Sequence, residues 1–268
     1  MEFVRVENFG NLEMSYISNR SGGYISKNAR LFEQIELTGL SKFILSCAVF
    51  GTPIFKLGEG NNRVLVLSGV HGNELPSQIA NLKLINELID VELNHTVFFI
   101  PFAAPKASMY NERLFNEMDL NRSAHIKNSL SNIIVNSINE LGINFVGDFH
   151  STAYNSNPGF ESIFSSKSPS PESYLIAKYV SDDVGCSIIP FDYAGSSYTG
   201  AIEDVCNLNS IPAITGEVLS PFSSVGEGSV WRSLCQMKSF LSYFASGICT
   251  IFPLSAFTLL TLTVDSIS

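Results

Sequence analysis

Histidine is scarce in this chain, four among 268 residues, and tryptophan occurs once. Basic residues are outnumbered, with 16 Lys and Arg against 25 Asp and Glu and a formal charge of −9, and they form no cluster. Phosphate contacts need local positive charge, so neither nucleic acid nor an anionic membrane is expected as a partner. A small anionic substrate would have to be met by individual arginines. The five cysteines, Cys47, Cys186, Cys206, Cys235 and Cys249, show no CxxC and no close pairing, which argues against a disulfide framework or a thiolate zinc site. They read as buried thiols of a reducing compartment. The opening "MEFVRVENFGNLEM" has neither a basic n-region nor an apolar h-region, so no secretory signal is expected and the expected location is cytoplasmic. There is no GxSxG, and no cysteine has a motif-placed histidine, which leaves a serine or cysteine nucleophile without support.

What the chain does have is a hydrophobic content of 45%, enough for a sizeable core. From residue 63, apolar β-like runs alternate with helical patterns. The runs are "RVLVLSGV", "TVFFIP", "INFVGDFH", "CSIIPF" and "IPAITGEV". Between them Ile79, Leu82, Ile85 and Ile89 recur at helical spacing, as do Ile126, Leu130, Ile133 and Leu141, and Leu175, Ile176, Tyr179 and Val180. Gly142 and Gly185 stand where C-terminal caps belong, and a last helix is expected over 230–244. This alternation predicts an α/β fold, a mixed but largely parallel sheet with helices on both faces. Residues 1–62 form a preface in which "FILSCAVF" and "GTPIFKL" are expected to pair as an edge hairpin. Residues 63–245 form the α/β core as one domain. The apolar tail 246–268 carries Pro253 and a Thr-Leu alternation, which favours a strand or docked tail over a membrane span.

In parallel sheets ligands sit beyond the carboxyl ends of the strands. That rule gathers four residues. His71 and Glu74 follow the first strand of the series, His150 ends the third, and Glu217 lies near the end of the last. Two imidazoles and a carboxylate are a common ligand set for a single catalytic zinc, which keeps one position open. Asp148, two residues before His150, shares its strand face; it either orients that histidine or is an ordinary strand-end carboxylate. Glu217 in an apolar strand is a candidate general base and acid, with a structural salt bridge as the alternative. The stretch "RLFNEMDLNR" adds Arg113 and Arg122, able to hold a substrate carboxylate and polarise a carbonyl, or else part of a solvated loop.

The motifs "GVHGNE", "DLNR", "DFHST" and "TGEV", in this order, make the chain resemble the zinc carboxypeptidase superfamily and, within it, the succinylglutamate desuccinylase and aspartoacylase branch. The resemblance implies one zinc on His71, Glu74 and His150, with Glu217 as general base and acid. It further implies that Arg113 stabilises the oxyanion, that Asn121 and Arg122 grip the substrate carboxylate, and that Tyr198, in "GSSYTGAIED", closes over the substrate. The implied activity is hydrolysis of an amide next to a free carboxylate, in an N-acyl amino acid or at a peptide C-terminus. A non-catalytic carboxylate-binding protein on the same fold is the rival. Two departures stand out: "PFAAPKA" replaces the usual Asn-Pro ahead of the arginine, and Ser123 replaces an aromatic after "DLNR".

Overall fold

The computed structural model describes residues 7–245. The apolar tail and Cys249 lie outside the described residues. Strands β1 (Glu7–Phe9) and β2 (Leu12–Ser18) precede helices α1 (Ala29–Phe32) and α2 (Gly39–Ala48). Then β3 (Thr52–Leu57) and β4 (Arg63–Ser68) lead into α3 (Leu75–Leu88), β5 (Thr96–Ile100) into α4 (Pro105–Tyr110), and α5 (Leu130–Glu140) into β6 (Phe145–Thr152). The chain continues through β7 (Ser162–Ser166), α6 (Glu172–Val184), β8 (Ser187–Phe191), α7 (Ile202–Leu208), β9 (Ala213–Leu219) and α8 (Ser229–Ala245).

The strands make one mixed sheet in the order β1-β2-β3-β5-β4-β6-β9-β7-β8. Its centre, β5-β4-β6-β9, is parallel throughout, and the antiparallel pairings lie towards the two edges. Alternation along β4 explains the layers. Val64 and Val66 enter the core under α3 and α8, while Leu65 and Leu67 enter the opposite core with Ile134 and Ile138 of α5 and Ile202 of α7. A strand buried on both faces favours apolar residues at successive positions, which is why "VLVL" in its centre reads as an unbroken apolar run.

The preface differs from expectation. "FILSCAVF" lies in α2 and its C-terminal turn, not in a strand; Thr38 caps the helix by accepting a hydrogen bond from Ser41 N at 2.9 Å. Leu40, Ile44 and Cys47, at helical spacing, bury one face. "TPIFKL" is a strand as expected, but it pairs antiparallel with β2 on one side and β5 on the other, not with the "FILSCAVF" segment. Among the described residues no helix is long and apolar enough to cross a membrane.

Candidate active site

The parallel strands bring the four strand-end residues together. The turn after β4 carries His71, and Glu74 sits at the N-cap of α3 with Pro76 just inside the helix, where a missing N–H leaves nothing unsatisfied. The turn needs Gly72: a Cβ there would fall 2.2 Å from the Ala107 carbonyl carbon of α4. Instead of capping its own helix, the Glu74 carboxylate faces both imidazoles. Oε1 lies 2.8 Å from His71 Nδ1, Oε2 lies 2.8 Å from His150 Nδ1, and Ser151 N donates to Oε2 at 3.3 Å. All three side chains are buried.

The other nitrogen of each ring faces a second carboxylate. His71 Nε2 is 2.9 Å from Asp119 Oδ1, and His150 Nε2 is 3.0 Å from Asp148 Oδ2. Asp148 is the strand-face neighbour that the sequence offered as an orienting group. Asp119 was not singled out, although it lies inside "DLNR"; the only signal available was a carboxylate two residues before Asn121. Its position is held by Asn121 N, which donates to Oδ1 at 2.9 Å, and by Arg113, whose guanidinium spans Asp119 Oδ2 at 3.2 Å and Glu74 Oε1 at 3.1 Å.

Charge follows this geometry. Burial alone would raise the carboxyls of Glu74 and Asp119. For Glu74 the two histidines outweigh burial, and for Asp119 His71 and Arg113 do so, leaving both acids well below the usual carboxylate range. Burial would lower the His150 imidazole, but Asp148 and Glu74 raise it well above its ordinary value. A position that draws a proton this strongly is one where a cation is stabilised. The three ligand atoms lie within 4.8 Å of one another, and carboxylates on the outer ring nitrogens are the usual support of metal-bound histidines. The donor set fits a divalent ion such as zinc.

Glu217 is the register partner of His150 across the β6/β9 ladder and projects on the same face as Thr215. It makes no ion pair among the described residues, and its Oε2 is buried without a hydrogen-bond partner. The salt-bridge alternative therefore has no counterpart here. Burial, reinforced by the Glu74 charge, pushes its carboxyl up to about 8.

Arg113, Asn121, Arg122, Tyr198 and Glu217 line one cleft with His71 and Glu74, narrow at about 70 Å³. The Arg122 guanidinium lies over the Tyr198 ring at 4.9 Å, and that ring is set edge-on against Phe164 and Phe191. The Tyr198 loop comes this close because of Gly200, at φ +86, whose Cβ would meet Arg122 O at 2.5 Å. Asn121 does not point freely into the cleft; its side-chain oxygen accepts from Ile202 N at 3.4 Å, at the start of α7. The cleft also has a buried acid that sequence reasoning missed, Glu203, raised well above the usual range by burial and by neighbouring Asp204. Strand β7, also unforeseen, supplies Phe164.

Residues 60–158 match the family model for the succinylglutamate desuccinylase/aspartoacylase catalytic domain. No curated protein sequence matches the chain. Among solved structures, an aspartoacylase family protein from Mesorhizobium loti aligns at 19% identity with a TM-score of 0.51, covering 70% of this chain and 61% of its own. A succinylglutamate desuccinylase/aspartoacylase from Rhodobacter sphaeroides aligns at 16% identity and TM-score 0.56, covering 74% and 61%. Carboxypeptidase A from Helicoverpa armigera aligns at 14% identity and TM-score 0.56, covering 84% and 72%. The chain thus spans about 61% of the length of the two bacterial proteins. Residues 60–158 carry the sequence pattern of the succinylglutamate desuccinylase/aspartoacylase catalytic domain, set in a fold shared with the metallocarboxypeptidases.

Proposed function

We propose that this chain is a zinc-dependent hydrolase that cleaves an amide bond next to a free carboxylate, with an N-acyl amino acid as the first substrate class and the C-terminal residue of a peptide as the second. The observation that carries this reading is the convergence of His71 Nδ1 and His150 Nδ1 on Glu74, with the unpaired carboxyl of Glu217 in the same cleft. His71, Glu74 and His150 would hold the ion, which when bound supplies Lewis acidity toward a carbonyl oxygen and makes water acidic enough to attack near neutral pH.

The chain's own residues do the rest. Arg122, steadied over Tyr198, receives the substrate carboxylate, and its planar guanidinium suits two parallel hydrogen bonds. Asn121 places that arginine and frames the carboxylate site. Arg113 presents positive charge beside the ligand set, where the carbonyl oxygen becomes negative. Glu217 takes a proton from the attacking water as its oxygen bonds to the carbonyl carbon, then returns that proton to the nitrogen as the C–N bond breaks. The products are a carboxylic acid and a free amine, so atoms balance with water alone. A carboxylate-binding protein without catalysis would gain nothing from a buried, unpaired acid at this point.

The test is metal analysis of the purified chain together with a hydrolysis panel of N-acyl amino acids and short peptides. His150→Ala is expected to lose metal and activity together. Full metal occupancy in that variant would overturn the ligand set, and a zinc-loaded parent that hydrolyses nothing in the panel would overturn the enzyme reading.

A further inference from the structure

We propose that Arg30, an exposed arginine of the N-terminal preface, is a positioning residue of the active cleft: with Asn111 it holds the carbonyl of Ser223, and so fixes the 220–228 loop that sets Phe222 in the cleft wall. The proposal rests on the amide-hydrolase reading for what the cleft does. Arg30 Nη1 donates to Ser223 O at 2.8 Å, and Asn111 Nδ2 donates to the same oxygen at 3.1 Å. The Ser223 N–H in turn donates to Asn73 O at 2.8 Å, on the turn between His71 and Glu74. One residue of the loop is thus tied to α1, to the end of α4 and to the turn that carries two of the proposed metal ligands.

Both donors are themselves held. Asn28 precedes α1, accepts from Leu31 N at 3.3 Å and donates to Ser108 O of α4 at 2.7 Å. The short helix is thereby fastened to α4, and Arg30 is presented from a fixed base. Asn111 ends α4 in the left-handed region at φ 57, a conformation that asparagine tolerates. Ser223 is left-handed as well, at φ 63; serine adopts this less readily, so its surroundings must enforce it. Other bonds of the loop, from Gly226 N to Ser220 Oγ at 2.9 Å and from Ser224 N to Pro221 O at 3.3 Å, are internal: they shape the loop but travel with it. Its two roots are tied where Ser220 N donates to Thr152 O at 2.8 Å and Arg232 Nη1 to Glu227 O at 3.1 Å. Between the roots, the three bonds at Ser223 place it.

The position of Phe222 gives the clamp its purpose. Phe222 lines the cleft with Arg122, Tyr198 and Glu217, and at 38% exposure it has apolar area left for a ligand to cover. Phe164, by contrast, is buried and spent against Tyr198 and Phe191. The ligand turn depends less on the clamp, because His71 and Glu74 are also held by Asp119 and Arg113. Loss of Arg30 should therefore displace Phe222 and leave the metal site intact.

The test compares the zinc-loaded parent with Arg30→Met and Arg30→Lys. Hydrogen exchange, followed by mass spectrometry on fragments covering 220–228, reads the clamp without any substrate. Exchange at the Ser223 amide is expected to speed up by about tenfold in Arg30→Met. It should return toward the parent rate in Arg30→Lys, since Arg30 gives this carbonyl one hydrogen bond that an ammonium can replace. Parent-like exchange across β4 and β6 shows that the variants are folded. Unchanged exchange at 220–228, or loss of zinc in Arg30→Met, overturns the proposal. On the substrates that the parent hydrolyses, Arg30→Met is expected to raise KM severalfold with kcat near the parent value, and this rise is expected to vanish in a Phe222→Ala background. A parent-like KM, or an equal rise in the Phe222→Ala background, also overturns it. A parent that hydrolyses nothing overturns the hydrolase reading alone, and the exchange measurement still decides whether Arg30 holds the loop.

Discussion

Replacing Glu217 by Gln keeps the size and shape of the side chain while removing its ability to take up or release a proton, the role proposed for it. Two magnitudes follow from its surroundings. The first concerns rate: general acid–base catalysis is worth about 10²- to 10⁴-fold, so kcat should fall by that factor while zinc stays bound, because Glu217 is outside the ligand set. The second concerns stability of the metal-free chain. The Glu217 carboxyl rises from an ordinary 4.5 to about 8 on folding, so between those values the folded chain holds a proton that the unfolded chain has released. Stability contributed by a raised acid is therefore present below about pH 4.5 and lost as pH climbs toward 8. The full shift corresponds to a ceiling of ~5 kcal/mol, and because Glu217 lines the cleft and its surroundings can relax as it titrates, a loss on the order of 2 kcal/mol is expected. For a domain of this size that amounts to a thermal midpoint difference of roughly 4–8 °C. Parent and Gln variant should melt together near pH 4, and the variant should melt higher by pH 8. Zinc between Glu74 and the histidines would offset the Glu74 charge that helps raise Glu217, so the gap should narrow in the loaded protein. Scanning calorimetry at both pH values, paired with steady-state kinetics, reads both quantities. A Gln variant that turns over substrate at the parent rate, or a midpoint difference independent of pH, would refute the reasoning.

Asp119→Asn leaves His71 in place but removes the charge behind its Nε2, and metal affinity should weaken about 10- to 100-fold in a competitive chelator titration; unchanged affinity would show that Asp119 does not support the histidine. Arg122→Lys conserves charge but loses the planar fork and the stacking on Tyr198, so KM should rise more than kcat falls. A parent enzyme that cleaves a substrate and its carboxamide analogue equally well would rule out the carboxylate contact. Tyr198→Phe keeps the ring face under Arg122 and should leave KM near the parent value, whereas Tyr198→Leu should raise it severalfold; the argument fails if the two variants behave alike.

Central strands were legible because burial on both faces writes itself as unbroken apolar residues, as in "VLVL" and "VFFI". Helix α2 was not, since Phe43, Ile44 and Val49 are strand formers by local preference. Its identity is decided by Leu40, Ile44 and Cys47 packing into the same core as Phe55 and Leu57 of β3. Strand β7 escaped for the opposite reason. Three of its five residues are serines, yet Ser162, Ser165 and Ser166 are fully buried, a burial made possible by ladders on both sides that no local pattern announces. The same contrast holds at the site. His71, Glu74, His150 and Glu217 could be gathered by a topological rule about strand ends, whereas the role of Asp119 depends on a loop passing 2.9 Å from His71, which only the folded chain reveals.

The pairing of His150 with Glu217 across β6 and β9 has a consequence for how such a protein could change. Seven register pairs, from Val146 with Ala213 to Thr152 with Leu219, act as a ruler between His150, a proposed metal ligand, and the acid beside it. The segments that shape what is recognised, the 220–228 loop and the Tyr198 loop, lie off that ruler. Lengthening or exchanging them alters the walls without altering the spacing between the two chemical groups. A single inserted residue between Ala213 and Glu217, by contrast, would swing the acid to the face now occupied by Ile214 and Val218, against the apolar helices. Recognition on this scaffold is therefore free to drift in steps of any size, while its chemistry can be lost in one.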